Sequence, residues 1–171
     1  MAILEIKKYP DPILRKRAEE IKKITPEIRS LGEMMIKTML EAPGVGLAGP
    51  QVGLSQKIIV VHLVKERSPG DKTEALPQIF INPKIIKKSR ETAVEEEGCL
   101  SIPRPWLKIK RAKEVLVEAL DIEGRPVQIE AKDLPARIFQ HEIDHINGIL
   151  IIDRVNFLQR LKFRINPVKF K

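Results

Sequence analysis

"DLPARIFQHEIDHINGI", residues 133–149, is the stretch on which the reading of the fold turns. Asp133 is a residue type that caps helices, and Pro135 would sit in the first turn. Leu134, Ile138, His141 and His145 follow at spacings of 4, 3 and 4, so a helix would place them on one face. The segments before it read mostly as strands. "KIIVVHLV" (57–64) is a β-branched run, and "QIFINPKII" (78–86) is a strand interrupted at Asn82-Pro83. "EVLVEALDIEGRPVQIEA" (114–131) alternates, turns at Glu123-Gly124 and alternates again, as a hairpin does. Strands grouped ahead of a helix predict an α+β fold. The expected form is antiparallel β-sheets packed around the helix that carries His141 and His145.

Working outward, "TPEIRSLGEMMIKTMLEA" (25–42) predicts a helix with Thr25 as N-cap and Pro26 at its first position. Ile28, Leu31, Met35 and Leu40 fall near its apolar stripe, flanked by Met34, Ile36 and Met39. "YPDPILRKRAEEI" (9–21) opens with turn signals and continues as a short helix, and "ERSPGDKTEALP" (66–77) is a loop. A last, C-terminal helix is expected from about Val155 to Ile165, stopping before Pro167. At 171 residues, with no repeat and no low-complexity segment, the chain reads as a single domain, 1–171.

Hydrophobic residues make up 43% of the chain, and no apolar run approaches the roughly 20 residues of a membrane helix. The start, "MAILEIKKYPDPIL", has no apolar signal core and no small-residue cleavage site, so a cytoplasmic location is expected and no membrane partner. One cysteine, Cys99, excludes an internal disulfide. The formal charge is +8, with both signs mixed along most of the sequence. The exception is 154–171, which holds Arg154, Arg160, Lys162, Arg164, Lys169 and Lys171 and no acid.

The chemistry lies in H-E-x-x-H, from His141 to His145. Two histidines one helical turn apart can grip one ion. Glu142, about 100° around the helix, can reach an attacking water without ligating the metal. A hydrolytic site of this kind needs a third protein ligand. The longer pattern that ends in a third histidine is followed as far as Gly148, but Ile151 stands in the histidine's place. No glutamate follows Glu142. His62 sits in an apolar strand, where a core histidine is the simpler account, and Asp153 beside Arg154 suits an ion pair or a cap while remaining open as a ligand. That leaves Cys99, in "EEEGCLSIP".

Three segments together resemble the peptide deformylases: "GVGLAGPQ" (44–51), "EGCLS" (97–101) and "QHEIDH" (140–145). Each is short; their order and separation are specific, and "YPDPILRKRA" and "INGILIIDR" extend the likeness over nearly the whole chain. The resemblance implies Cys99, His141 and His145 as metal ligands, with a water in the fourth position. It implies iron(II), with nickel or cobalt as working substitutes, whereas a Cys-His-His set by itself also suits zinc. It implies an N-formyl-methionyl nascent peptide as substrate and formate as product. Glu142 would be the proton carrier, and the Gln51 amide and the Leu100 backbone N–H the donors to the carbonyl oxygen. An unbranched methionine side chain needs an apolar pocket, for which Val45 and Gly46 in the first motif and Leu134 and Ile138 on the histidine face are the candidates.

Two positions depart from the family pattern: Gly49, where a second alanine is usual, and Arg104 after "SIP". Gly49 also makes "GVGLAG" fit the G-x-G-x-x-G phosphate motif, but a helix precedes it and Pro50 and a strand follow, the wrong context for a dinucleotide site. Two other classes share some of these features. A zinc peptidase would use the same H-E-x-x-H and cleave internal bonds. A ribosome- or RNA-binding protein would account for the charge, but not for Glu142 or Gln51. A deformylase must meet new chains near the ribosome, so the basic C-terminus could make transient contact with ribosomal phosphate.

Overall fold

The computed structural model describes residues 2–63 and 76–155, apart from the side chain of Pro105. From residue 156 on, the expected C-terminal helix (about Val155 to Ile165) and the basic stretch 154–171 lie outside the described residues, as does most of the 66–77 loop.

The run "IIVVH" forms strand β2, Ile58–His62. Four consecutive apolar residues suit it because both faces are covered. Ile58 and Val60 join one hydrophobic cluster, Ile59 and Val61 another. The first cluster is closed by helix α1, Pro26–Glu41, whose Ile28, Leu31, Met35 and Met39 point inward. Leu40, expected near that stripe, is 49% exposed instead. Met39 lies four residues beyond Met35 and takes the inward position that a helical repeat dictates. Thr25 occupies the N-cap position, but its side chain makes no capping hydrogen bond to the helix.

The second cluster is closed by helix α2, Asp133–Ile146. Every residue from Ala136 to Ile146 is buried, so α2 is a central helix, not a surface one. Asp133 is its first residue, at φ 49°, with Lys132 in the cap position and no side-chain cap bond. The helix ends at Asn147, and Gly148 at φ 73° reverses the chain. A Cβ on Gly148 would lie 2.9 Å from the Arg15 carbonyl carbon, so both conformation and space call for glycine.

β2 belongs to a five-stranded antiparallel sheet with β1 (Gly46–Ala48), β3 (Pro77–Lys88), β6 (Glu114–Leu120) and β7 (Pro126–Lys132), in the order β1-β2-β3-β6-β7. The expected interruption at Asn82-Pro83 is a bulge inside one continuous strand. Asn82 adopts φ 52°, and its side chain exchanges two 2.9 Å hydrogen bonds with the Ile21 backbone. Proline, lacking an N–H, is tolerated where the ladder is already broken. β6 and β7 form the expected hairpin, its turn held by Asp121 accepting from the Glu123 and Arg125 backbone N–H groups. Before the sheet, only Pro12–Arg15 of the short helix expected over 9–21 is helical, as one 3-10 turn.

A second, two-stranded antiparallel sheet stands apart: β4 (Thr92–Cys99) and β5 (Ile102–Ala112). Its inner face carries Cys99, Ile102, Leu107 and Ile109 into a third hydrophobic cluster with Leu14, Leu150 and Val155. A four-residue helix, α3 (Ile151–Arg154), adds Ile151 to the same cluster.

Candidate metal centre

The i, i+4 spacing on α2 stacks His141 over His145, with ring centroids 4.9 Å apart and the two Nε2 atoms 3.2 Å apart. Cys99, the last residue of β4, brings its Sγ to 3.2 Å from His145 Nε2. One ligand atom from each of the three lies within 4.8 Å of the others, and all three residues are buried. Burial opposes a charged Cys99 thiol, yet the two imidazoles hold it well below the ordinary thiol range. Burial likewise opposes an imidazolium at His141, and the neighbouring Cys99 and Glu97 outweigh it and raise its affinity for a proton. Three electron-pair donors crowd one point. That arrangement suits a cation, and thiolate plus imidazole is a donor set for a borderline divalent metal. The Nδ1 of His145 is buried and has no hydrogen-bond partner among the described residues.

His141 is oriented from behind by Glu97, whose Oε2 lies 3.0 Å from His141 Nδ1. With Nδ1 engaged, Nε2 is the nitrogen free to face the cluster. Burial would keep the Glu97 carboxyl neutral, but His141 and Arg111 hold its pKa well below the usual carboxylate range. Arg111 grips Glu97 through two bonds of 2.9 and 3.0 Å and reaches Asp144 at 2.5 Å. Asp144 is also paired with Arg154. The sequence reading missed this network. A signal existed: Glu97 is two residues from Cys99, and alternation in a strand puts the two on one face.

The alternative ligands lie elsewhere. Asp153 accepts from the Leu150 backbone N–H at 2.8 Å and pairs with Arg15. His62 is half-buried at the end of β2 and does not belong to the cluster.

A cavity of about 640 Å³ opens onto the cluster. Val45, Gly46, Leu134 and Ile138 all line it. Their placement differs: Val45 and Leu134 are about half exposed at its mouth, and Ile138 is buried in its wall. Arg137 and Trp106, which the sequence did not single out, line it too. Glu142 faces the same space and is buried, with Oε2 lacking any hydrogen-bond partner among the described residues. Burial pushes its pKa up to about 7, against the pull of both histidines. Gly46 makes room for it, since a methyl group there would sit 2.7 Å from the Glu142 carboxyl carbon.

Gln51 lies in the 3-10 turn Gly49–Val52 and is 1% exposed. Its Oε1 accepts from the Ala48 N–H at 2.8 Å, which turns the amide nitrogen toward Cys99 Sγ (3.7 Å) and Ser101 Oγ (3.3 Å). Both of those contacts are long, so its donors are weakly spent. Leu100 follows Cys99 in a turn pinned by Lys8, whose ammonium donates to the Leu100 carbonyl at 2.5 Å. The turn Gly49–Val52 follows a strand and is no α-helix, so the G-x-G-x-x-G pattern lacks a dinucleotide site's context here.

The family model described as polypeptide deformylase matches residues 3–161. A peptide deformylase of Thermodesulfovibrio yellowstonii is 47% identical over 164 residues, 96% of each chain. Among solved structures, the chain is similar to the peptide deformylase of Thermotoga maritima, with a TM-score of 0.81 and 41% identity over 91% of this chain and 99% of that one. It is also similar to the peptide deformylase of Thermus thermophilus, with a TM-score of 0.85 and 36% identity over 96% and 93% of the two chains. Sequence and architecture agree over nearly the full length, and the chain belongs to the polypeptide deformylase family.

Proposed function

We infer that the chain, as one catalytic domain over 1–171, removes the N-formyl group from the N-terminal methionine of newly synthesised proteins and releases formate. Cys99, His141 and His145 are the residues that would hold its divalent metal. Iron(II) is the proposed resident ion, and zinc, nickel or cobalt fit the same donors. An ion held there supplies a Lewis acid for the formyl carbonyl and lowers the pKa of the attacking water.

The chain's own residues do the rest. Glu142 takes the proton of the attacking water on its unpaired carboxylate oxygen and returns it to the departing amine nitrogen. The Gln51 amide and the Leu100 backbone N–H donate to the carbonyl oxygen as negative charge develops on it. Gly46 leaves the space in which the Glu142 carboxylate stands, and Ile138, with Val45 and Leu134 at the mouth, offers apolar surface to the methionine side chain. The basic residues after Asp153 give a salt-sensitive attraction to ribosomal phosphate, which would bring the enzyme to formylated nascent chains in the cytoplasm.

The observation that carries the reading is a buried carboxylate, its Oε2 without a hydrogen-bond partner among the described residues, in a cavity beside a Cys-His-His cluster. Glu142→Gln tests it: the amide keeps the shape and cannot accept the proton. Metal content should stay at one ion per chain, while formate release from a formyl-methionyl peptide falls by about 10²–10⁴. Gln51→Ala, with metal retained, should lose about 10²–10³ in turnover. Near-normal turnover of Glu142→Gln would remove Glu142 as the base.

A further inference from the structure

Arg137 stands one helical turn before His141 on α2, on the same face of the helix. It is buried, and four hydrogen bonds leave from its guanidinium. Nε donates to Glu95 Oε2 at 2.9 Å, Nη1 to Glu97 Oε1 at 2.7 Å and to the Ile109 carbonyl at 3.0 Å, and Nη2 to the Ala93 carbonyl at 3.2 Å. Residues 93, 95 and 97 are alternate positions of β4, and the next in the series is Cys99. One side chain of the histidine helix therefore grips three successive rungs of the strand whose fourth rung is the thiol.

That grip has a consequence because β4 and β5 are not hydrogen-bonded into the five-stranded sheet against which α2 packs. The distance from the sulfur to the two imidazoles is not fixed by a shared backbone ladder. It is fixed by side chains that cross between the small sheet and α2: Arg137, the Glu97–His141 bond, the Arg111–Asp144 pair and Gln140, which clasps the Ala112 backbone of β5 through two bonds, together with packing in the third cluster. Of these, Arg137 alone contacts β4 at three residues, and its planar fork fixes direction as well as distance.

We propose that Arg137 is a positioning residue for the metal centre, holding β4 at the distance from α2 that places Cys99 Sγ beside His141 and His145. The proposal rests on the reading of those three residues as ligands. Arg137 does not touch the ion or the reacting atoms. It acts through Glu97 and the backbone of β4, and without it β4 keeps only the Glu97–His141 bond to α2, leaving two fixed imidazoles and a less firmly held thiolate. Removing Arg137 leaves Glu97 paired with Arg111 and His141, so the buried carboxylate keeps partners and the fold is retained.

The test uses the cobalt(II)-loaded full chain and two readouts that a purely structural role would not move. The first is the sulfur-to-cobalt charge-transfer absorption, which reports the thiolate bond. The second is the rate of metal loss to a chelator. Arg137→Met should weaken or shift the absorption and speed metal loss by about 10–100-fold. Arg137→Lys, which keeps one bond to Glu97 and loses the fork, should fall between. Asn82→Ala, which breaks the Ile21 clasp in the large sheet, serves as a destabilised control. Wild-type absorption and release rate in Arg137→Met overturn the proposal, as does equal acceleration in Asn82→Ala. If Arg137→Met fails to fold, Arg137→Lys decides by the same criteria. A wild-type protein without the sulfur band, or a band that survives Cys99→Ser, overturns the ligand assignment instead.

Discussion

Gly46→Ala isolates the position of the Glu142 carboxylate from its chemistry. The new methyl group would lie 2.7 Å from Glu142 Cδ and 2.8 Å from Cγ. Carbon atoms make ordinary contact at about 3.5–4.0 Å, so the carboxylate must retreat by roughly 0.7–1.3 Å. It cannot do so by a small rotation, because Cγ is in the clash as well, and α2 behind it is packed into the core of the large sheet. A displacement of about 1 Å costs on the order of 10²-fold in a positioned reaction, which corresponds to about 2.7 kcal/mol of barrier. The overpacking itself costs about 1–3 kcal/mol of stability. Formate release, followed with a coupled formate dehydrogenase assay, should show kcat down by about 100-fold. Metal analysis on the same preparation should still give one ion per chain, since none of Cys99, His141 and His145 is among the nearest contacts of the new methyl group. A variant that keeps kcat within about threefold of wild type, with metal intact, would refute the reasoning that this carboxylate must stand where it does.

Cys99→Ser replaces a soft thiolate with a hard hydroxyl and should bind less metal or a different one; metal analysis after dialysis checks it, and full metal content with full activity would point to another third ligand. Gly49→Ala, which restores the residue usual in the family, should destabilise this chain by about 1–3 kcal/mol in urea unfolding, because its Cβ would lie 2.5 Å from the Gln56 carbonyl oxygen and 3.1 Å from Ile58 Cγ2. Replacing Arg160, Lys162 and Arg164 together with Gln should weaken co-sedimentation with ribosomes at low salt and leave turnover of a small formyl-peptide unchanged; unchanged co-sedimentation at both low and moderate salt would remove the tail from the reading.

Periodicity made much of the fold legible. α1, α2, β2 and the β6–β7 hairpin each announce themselves in local pattern, because an apolar stripe or alternation is a direct record of which side faces the core. The β4–β5 pair was not legible for the same reason. "TAVEEEGC" lacks an apolar alternation because one face of that strand meets solvent and the other meets guanidinium groups, so the buried Glu97 on its inner face is charged. At the site, Cys99 could be singled out by the scarcity of cysteine and histidine, and its partnership with α2 by the order of the three family motifs. Arg111 and Arg137 could not. A buried arginine looks like a surface one until its partner is in place, and here the partner is a glutamate that tertiary packing turns inward from a run of three. Met39 in place of Leu40 shows the milder limit: the element and three positions of its stripe, Ile28, Leu31 and Met35, were right, and the last was off by one residue.

The Cys-His-His set is split along the chain. Cys99 sits in the cluster built on Leu14, Ile109 and Leu150, and the helix that carries both histidines belongs to the cluster of the large sheet. An ion joining them acts as a cross-link that closes a loop of 43 residues, 99 to 141. By the chain-entropy relation used for covalent cross-links, closing a loop of that length removes on the order of 4 kcal/mol of freedom from the unfolded chain. A chelator should therefore lower the midpoint of thermal unfolding as well as abolish turnover. The loss of protection from hydrogen exchange should be concentrated in β4 and β5, the part of the molecule that such an ion would fasten to the remainder.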